Sequence, residues 1–437
     1  MKLTSAVTLY ELIFFILFTC SLWIFKWVFD FVHAGMIGQI LVGVLFVSLP
    51  QADLWPGSHG IELVGNLGVI VIIFEGGMSI KLETLRKVGL RALLVATVGV
   101  ALPLGSGIGI LVWMGYSVIE GFAGGAALAS TSNVMGVALM QKQRLLETPF
   151  GALLTAATMI DDIFSLILIS VVSSIPYSAS SGIDKHIPSG KLAWAIMRTI
   201  VASVGTMVVG LVMIVIVKRF VQLLEEELVP EKVEMTENRG LLVAKRWIAR
   251  RLDTMLISGM FFLAFASALS AEMAGASRLL GCFVAGMAFG EVPTCRRLWT
   301  SAVSGSKPLL EGYFFASIGF FLPIRSMFDR KNALYGLGYA ASSALTKFAT
   351  AVCIRPWTHG VTAGLAMITR GELGLLLAQQ ALTRGVLSDS CFIVVCWAVI
   401  LCTIFPPFFF GMLLKRFRED IIDTPQGSTG SRQMEAE

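Results

Sequence analysis

Apolar residues along this chain gather into long runs separated by short polar stretches. Thirteen of the runs approach or exceed roughly 17 residues, the length a helix needs to cross a ~30 Å hydrocarbon layer. They fall near 7–30, 34–50, 61–80, 91–114, 118–140, 149–175, 192–218, 253–273, 276–290, 309–327, 334–354, 359–383 and 388–414. The pattern predicts an all-α polytopic membrane protein of about thirteen transmembrane helices. Met1–Trp27 reads as a first helix and not as a removed signal, because Glu11 interrupts its start and no small-residue cleavage site precedes the next run.

The loops between runs sort by charge. One alternate set holds Lys81, Arg86, Lys87 and Arg91, then Lys142 and Arg144, the segment Lys218–Arg251, Arg296, Arg297 and Lys307, Arg355, and Lys415, Arg416 and Arg418. The other set is poorer in basic residues, although Lys185, Arg325, Arg330 and Lys331 fall in it. The positive-inside rule makes the first set cytoplasmic, with the N-terminus outside or lumenal and the C-terminus cytoplasmic, a parity that needs an odd number of spans. The longest polar stretch, Lys218–Asp253, carries both signs of charge and reads as a solvated connector dividing the chain in two.

Composition agrees with the medium: 56% of residues are hydrophobic and 14% charged, against roughly 25% charged in soluble domains. The net charge of +5 sits in short interhelical clusters with no aromatic-interleaved basic face, so it orients the chain and is no nucleic-acid footprint. Six of the seven cysteines (Cys20, Cys282, Cys353, Cys391, Cys396 and Cys402) lie in or beside apolar runs, which predicts packing roles and neither disulfides nor a zinc framework. Four scattered histidines and no HExxH leave no metal motif, and no cofactor is expected.

One run stands apart. Between Gly151 and Ile175 the only ionisable residues are Asp161 and Asp162. At about 1.5 Å per residue they lie roughly 18 Å in from Pro149, close to the bilayer midplane. A carboxylate there costs on the order of 2.5–3.5 kcal/mol, so two in succession point to ion handling.

The two halves of the chain also repeat one another. Gly38–Phe46 aligns with Gly281–Phe289, matching Gly38 with Gly281, Gly43 with Gly286 and Phe46 with Phe289; Gly77 then falls opposite Gly319, and Gly136–Gln141 opposite Gly374–Gln379. The offset is seven spans, an odd number, so the copies run in opposite senses: two inverted six-helix repeats, with a site expected where they meet. In the fifth run Thr131, Ser132 and Asn133 form a polar patch flanked by Gly124, Gly125 and Gly136, so the helix is expected to break there and present oxygen ligands suited to Na⁺ or K⁺. Its repeat partner in the twelfth run carries Arg370 and Glu372 around Gly371, which fits a second broken helix whose charges offset half-helix ends or pair with each other. Lys347 lies too far inside the eleventh run to snorkel with ease and is expected to pair with a buried carboxylate. Glu75, near a cytoplasmic helix end, reads as a packing or interface contact.

With these motifs in hand, T-M-I-D-D-I-F-S-L-I-L at 158–168, L-A-S-T-S-N-V at 128–134, I-F-E-G-G-M-S-I-K-L at 73–82, R-L-L-G-C-F-V-A-G-M-A-F-G at 278–290 and R-G-E-L-G-L-L-L-A at 370–378, the chain resembles the monovalent cation:proton antiporter superfamily over nearly its whole length. The adjacent aspartates with a downstream Lys are similar to those of bacterial electrogenic sodium/proton antiporters, whereas F-E-G-G-M and R-G-E-L-G are similar to different branches. The resemblance implies that Asp162 is the ion- and proton-binding carboxylate, that Asp161 is its partner paired with Lys347, and that Thr131 and Ser132 are neighbours at a crossing of two broken helices. It also implies a homodimer in the lipid bilayer. Residues 1–90 and 253–330 would supply dimerisation-domain helices, 91–175 and 331–414 the moving core, 176–252 a linker helix and cytoplasmic loop, and 415–437 a short cytoplasmic tail.

The expected function is exchange of Na⁺ or Li⁺ for H⁺ by alternating access, serving pH homeostasis, with a K⁺/H⁺ antiporter of the same fold as the alternative. Two other classes fit less well. An intramembrane aspartyl protease needs facing aspartates from two helices, whereas neighbours on one helix diverge by about 100°, and an ion channel would need a filter ring.

Overall fold

The computed structural model describes residues 9–31, 35–48, 58–80, 82–175, 189–228, 239–322, 324–417, 419 and 421. Among these the regular structure is entirely helical. In chain order the helices are α1 (Leu9–Asp30), α2 (Gly35–Val47), α3 (Ser58–Ser79), α4 (Leu82–Trp113), α5 (Val118–Ala129), α6 (Asn133–Lys142), α7 (Pro149–Ser174), α8 (Ser189–Leu228) and α9 (Arg239–Ala274). They continue as α10 (Arg278–Gly290), α11 (Pro293–Val303), α12 (Lys307–Gly319), α13 (Ile324–Met327), α14 (Arg330–Phe348), α15 (Trp357–Ile368), α16 (Glu372–Thr383) and α17 (Asp389–Arg416), with a 3-10 turn at Ala349–Cys353 between α14 and α15. The loop positions Lys81 and Lys185, the centre of the polar connector at 229–238 and the tail from 422 lie outside the described residues.

Every predicted apolar run coincides with a helix or a pair of helices. Eight segments among the described residues are long and apolar enough to cross a membrane unaided, counting α15 and α16 as one, and α2, α5 and α10 are shorter apolar helices. A helix whose backbone is fully bonded within itself is the natural way to carry such a run through lipid. Pro103 inside α4 and Pro406 and Pro407 inside α17 are tolerated on the same terms. One element falls outside the thirteen runs: α11, which opens on Pro293 and buries only Cys295, Trp299 and Val303, a one-sided stripe at i, i+4 and i+8 that packs Trp299 on Phe74 and Phe261.

The chain forms two compact units. The first comprises 1–82, 166–176 and 182–322. Its helices approach through glycines. A Cβ added at Gly43 would strike the Ala316 carbonyl of α12, and one at Gly319 the Ile40 carbonyl of α2; likewise Gly77 of α3 meets the Phe283 carbonyl of α10, and Gly286 of α10 the Phe74 carbonyl of α3. Close approach of backbones is what small residues provide where hydrophobic driving force between helices is absent. Glu75, read as a packing or interface contact, bonds the Lys307 ammonium of α12 at 2.7 Å; Lys307 also reaches Glu311 at 3.6 Å, and Glu311 reaches Lys26 at 3.6 Å. Burial pulls the Lys307 ammonium down, but its hydrogen bond to Glu75 and the charges of Glu75 and Glu311 outweigh this and hold it above the ordinary lysine value. These partly exposed pairs contribute little singly, up to about 1 kcal/mol each.

The second unit comprises 83–165, 177–181 and 323–437. Here the N-termini of α5 and α17 share one carboxylate. Glu120 closes a capping box with Ser117 and also accepts from the backbone N–H (3.1 Å) and hydroxyl (2.5 Å) of Ser388, the N-cap of α17. Around the site the packing is dense: α5 is buried from Ala123 to Ala129, and Gly125 lies so close to α4 that a Cβ there would touch the Leu104 carbonyl. All seven cysteines are free thiols. Four of the six read as packing residues are buried, as is Cys295, whereas Cys20 and Cys353 are exposed.

Candidate functional site

The polar patch at 130–132 and the stretch 369–371 each interrupt a run. α5 stops at Ala129 because Ser130 and Ser132 adopt extended backbone, and α6 resumes at Asn133. The partner run stops at Ile368 and restarts at Glu372 after an extended Gly371. The first break lies between Gly125 and Gly136, and the flanking Gly124, Gly125 and Gly136 stay helical. Each break frees backbone groups that lipid cannot satisfy, and the two satisfy each other. The Ser132 N–H donates to the Thr369 carbonyl at 2.9 Å, and the Thr131 hydroxyl to the Met367 carbonyl at 3.3 Å. Gly371 is required at the contact: a Cβ there would lie 2.9 Å from both Cβ and Oγ of Ser132.

Two cations close the remaining carbonyls of α5. Lys347, fully buried in the last turn of α14, donates to the Ala129 carbonyl and to Asp161 Oδ1 at 3.0 Å. Arg370, also fully buried, donates from Nη1 to the Ser130 carbonyl at 2.7 Å and from Nη2 to the Ser343 hydroxyl at 2.7 Å. The C-terminus of α5 carries the negative end of a helix dipole, so two positive groups there are electrostatically matched. At the opposite polarity Glu372 occupies the first turn of α16. Arg370 is further fixed by its own backbone, whose N–H donates to the Cys402 carbonyl and whose carbonyl accepts from Thr403.

The aspartates sit at the middle of the 26-residue α7, and their environments differ. Asp161 is 0% exposed and ion-paired, with Oδ2 left unbonded. Asp162, one residue on and turned by about 100°, is partly exposed. Asp161, Glu372 and Lys347 all stand within electrostatic reach of it. Near-complete burial also leaves the hydroxyls of Ser132 and Thr155 without a protein partner. Oxygens of this kind, a carboxylate with hydroxyls, are hard ligands for a hard cation. The side chain of Asn133 lies outside the described residues, and only its backbone, opening α6, is placed. Of the residues singled out from the sequence, the structure thus brings Asp161 to Lys347, Thr131 and Ser132 to the second break, and Arg370 to the first.

Three contributors escaped the sequence reading. Thr155 and Thr158 precede Asp162 by seven and four residues, the spacing that puts them on its face of α7, and that periodicity was available as a signal. Ser343, which anchors Arg370, precedes Lys347 by one helical turn. Its role follows only from where α14 lies.

Residues 10–234 and 238–416 match the family model described as sodium/hydrogen exchanger, transmembrane. The chain is 24% identical to the high-affinity Na⁺/H⁺ antiporter NhaS3 of Synechocystis sp. over 85% of this chain and 76% of that one. To the Na⁺/H⁺-K⁺ antiporter GerN of Bacillus cereus it is 23% identical over 85% and 88%. Its fold is similar to that of the solved sodium proton antiporter MjNhaP1 of Methanocaldococcus jannaschii, with a TM-score of 0.63 over 94% of this chain and 97% of that one at 14% identity. A run of membrane-length apolar helices, broken in two places around buried charges and matched along almost its whole length, makes this chain a member of the transmembrane sodium/hydrogen exchanger family: a multi-pass membrane antiporter of monovalent cations against protons, and not an enzyme.

Proposed function

We propose that the chain exchanges Na⁺ or Li⁺ for H⁺ by alternating access, with Asp162 as the shared binding group. The observation that carries this is the asymmetry of the aspartates: Asp161 is sealed and paired with Lys347, whereas Asp162 is partly exposed, with Thr155 and Thr158 on its face of α7. A carboxylate that holds a proton has lost most of its attraction for a cation, so the two ions compete for Asp162 and their fluxes are coupled. Asp161 and Lys347 hold the geometry and balance charge, Thr131 and Ser132 line the ion's approach, and Arg370 and Glu372 fix the half-helix ends. If Lys347 gives up its proton when the cation enters, two protons exchange per cation and transport is electrogenic; a purely structural Lys347 makes exchange one for one.

The glycine crossings support the inverted repeat. Under the alignment, α2 corresponds to α10 and α3 to α12, and the α2/α12 crossing at Gly43 and Gly319 has its counterpart in the α3/α10 crossing at Gly77 and Gly286. Gly38 and Gly281 likewise pack on α1 and α9, the helices that precede each. In this reading the first compact unit is a dimerisation domain that holds a homodimer in the lipid bilayer and the second is the moving core, with the N-terminus outside or lumenal and the C-terminus cytoplasmic.

The test is dequenching of a pH dye in proteoliposomes on addition of Na⁺, Li⁺ or K⁺ in turn. Wild-type protein should respond to Na⁺ and Li⁺, and Asp162→Asn should not respond to any of them. A response retained by Asp162→Asn refutes the assignment. A response to K⁺ that equals that to Na⁺ selects the second reading, a K⁺/H⁺ antiporter, which the name of the relative GerN keeps in play.

A further inference from the structure

The hydroxyls of α7 fall into two kinds. A Ser or Thr inside a helix has a carbonyl three or four residues back within reach of its hydroxyl. Thr158 donates to that of Thr155 at 3.0 Å, Ser170 to that of Leu166 at 2.8 Å and Ser174 to that of Val171 at 2.8 Å. Ser165 does not. The residue is 0% exposed, yet its Oγ bonds to nothing in the protein, where leaving a buried hydroxyl unbonded costs about 1–3 kcal/mol. A side chain that forgoes the nearest acceptor at that cost is turned toward something else.

Helix geometry fixes the direction. Every Cα–Cβ bond of a helix tilts toward its N-terminus, so Ser165 leans back onto the turn that bears Asp161 and Asp162. With about 100° between residues, it stands roughly 40° around the axis from Asp161, four residues earlier, and roughly 60° from Asp162, three earlier, in the sector between them. Asp161 has an oxygen to spare there: Lys347 takes Oδ1 at 3.0 Å, and Oδ2 is buried without a hydrogen bond. Two sealed oxygens one turn apart, one from a carboxylate and one from a hydroxyl, are thus left over, and they do not bond to each other. What both can hold at once through their lone pairs is a cation.

We infer that Ser165 is a ligand of the transported cation, which is held between the two carboxylates by Asp162, Asp161 Oδ2 and Ser165 Oγ while Lys347 keeps Oδ1. This rests on the exchange reading above and adds to it a residue that acts on the cation alone. A hydroxyl oxygen is a hard ligand suited to Na⁺ or Li⁺, and it contributes to their binding without adding charge. A proton binds one carboxylate oxygen at a time and does not need it. Loss of Ser165 therefore weakens the cation and leaves the proton's hold on Asp162 nearly as it was.

The experiment measures Na⁺-driven exchange in proteoliposomes, with apparent KM and turnover resolved separately and the pH profile taken at saturating Na⁺, for wild-type protein, Ser165→Ala, Ser165→Cys and Ser174→Ala. Ser165→Ala should raise KM for Na⁺ about tenfold, the equivalent of ~1.4 kcal/mol of binding, with turnover and pH profile unchanged. Ser165→Cys keeps the side-chain volume but presents sulfur, a soft donor ill suited to Na⁺, so it should give the same rise and decides the matter if Ser165→Ala yields no folded protein. Ser174→Ala removes a hydroxyl already bonded to the Val171 carbonyl and should leave KM as in wild type. A KM within about twofold of wild type in a folded Ser165 variant, a loss confined to turnover, a displaced pH profile, or an equal KM rise in Ser174→Ala overturns the inference. If wild-type protein itself shows no Na⁺-dependent exchange, it is the function reading that fails; wild-type exchange with KM unmoved in the variants sinks this inference alone.

Discussion

Replacing Lys347 by Met exposes how the site is held together. The ammonium is fully buried and does two things at once: it neutralises Asp161 at 3.0 Å and satisfies the Ala129 carbonyl at the end of α5. Methionine fills nearly the same volume, so packing changes little and the loss is electrostatic. Removing one partner of a buried pair leaves an uncompensated charge and costs about 3–5 kcal/mol. In a compact unit of ~200 residues, where 1 kcal/mol moves the midpoint by ~2–4 °C, this corresponds to a fall in Tm of roughly 6–20 °C. The assay is thermal unfolding of the purified protein in detergent, run for wild type, Lys347→Met, Asp161→Asn and the double variant as a complete cycle. Asp161→Asn removes the stranded charge, so the double variant should recover much of the loss, because replacing both members of a buried pair is often close to neutral. A Lys347→Met protein that melts within 2 °C of wild type, or a double variant less stable than Lys347→Met alone, refutes the claim that the pair is what holds α7 to α14.

Other consequences are equally direct. Gly371→Ala places a methyl against Ser132 Cβ and Oγ, at 2.9 Å, and should reduce exchange more than tenfold while leaving most of the helix content intact, checked by transport and circular dichroism. Glu120→Ala removes the acceptor shared by the first turns of α5 and α17 and should cost on the order of 1–2 kcal/mol of stability with cation KM unchanged. Arg370→Lys keeps the charge but cannot reach both the Ser130 carbonyl and the Ser343 hydroxyl in one planar fork, so turnover should fall despite the conservative change. Gly286→Leu drives a side chain into the Phe74 carbonyl and should abolish expression of folded protein, as judged by size-exclusion profile.

What the amino-acid order determined on its own was everything that follows from transfer energies. Apolar runs of membrane length placed the helices, because unsatisfied backbone is intolerable in lipid whatever its neighbours do. The same arithmetic singled out Asp161, Asp162, Lys347 and Arg370, since a charge in such a run is costly wherever the run ends up. The polar patch at 130–132 and the Gly371 segment were readable as breaks for a related reason: Ser and Thr compete for backbone bonds, and glycine opposes a helix.

Tertiary structure alone decided which of these groups meet. Asp161 and Lys347 are 186 residues apart in the chain, and so are no more predictable as a pair from spacing than Asp162 and Lys347. Only the seating of α14 against α7 selects which carboxylate Lys347 pairs with. Arg370 bonds to oxygens of α5 and α14 where pairing with Glu372 was equally consistent with the sequence. Arg296 was legible only as a loop charge; that its guanidinium bonds the Met78 and Gly290 carbonyls, and that Glu291 accepts the Leu82 N–H, was not, because a charge becomes a helix cap only when another helix ends within reach.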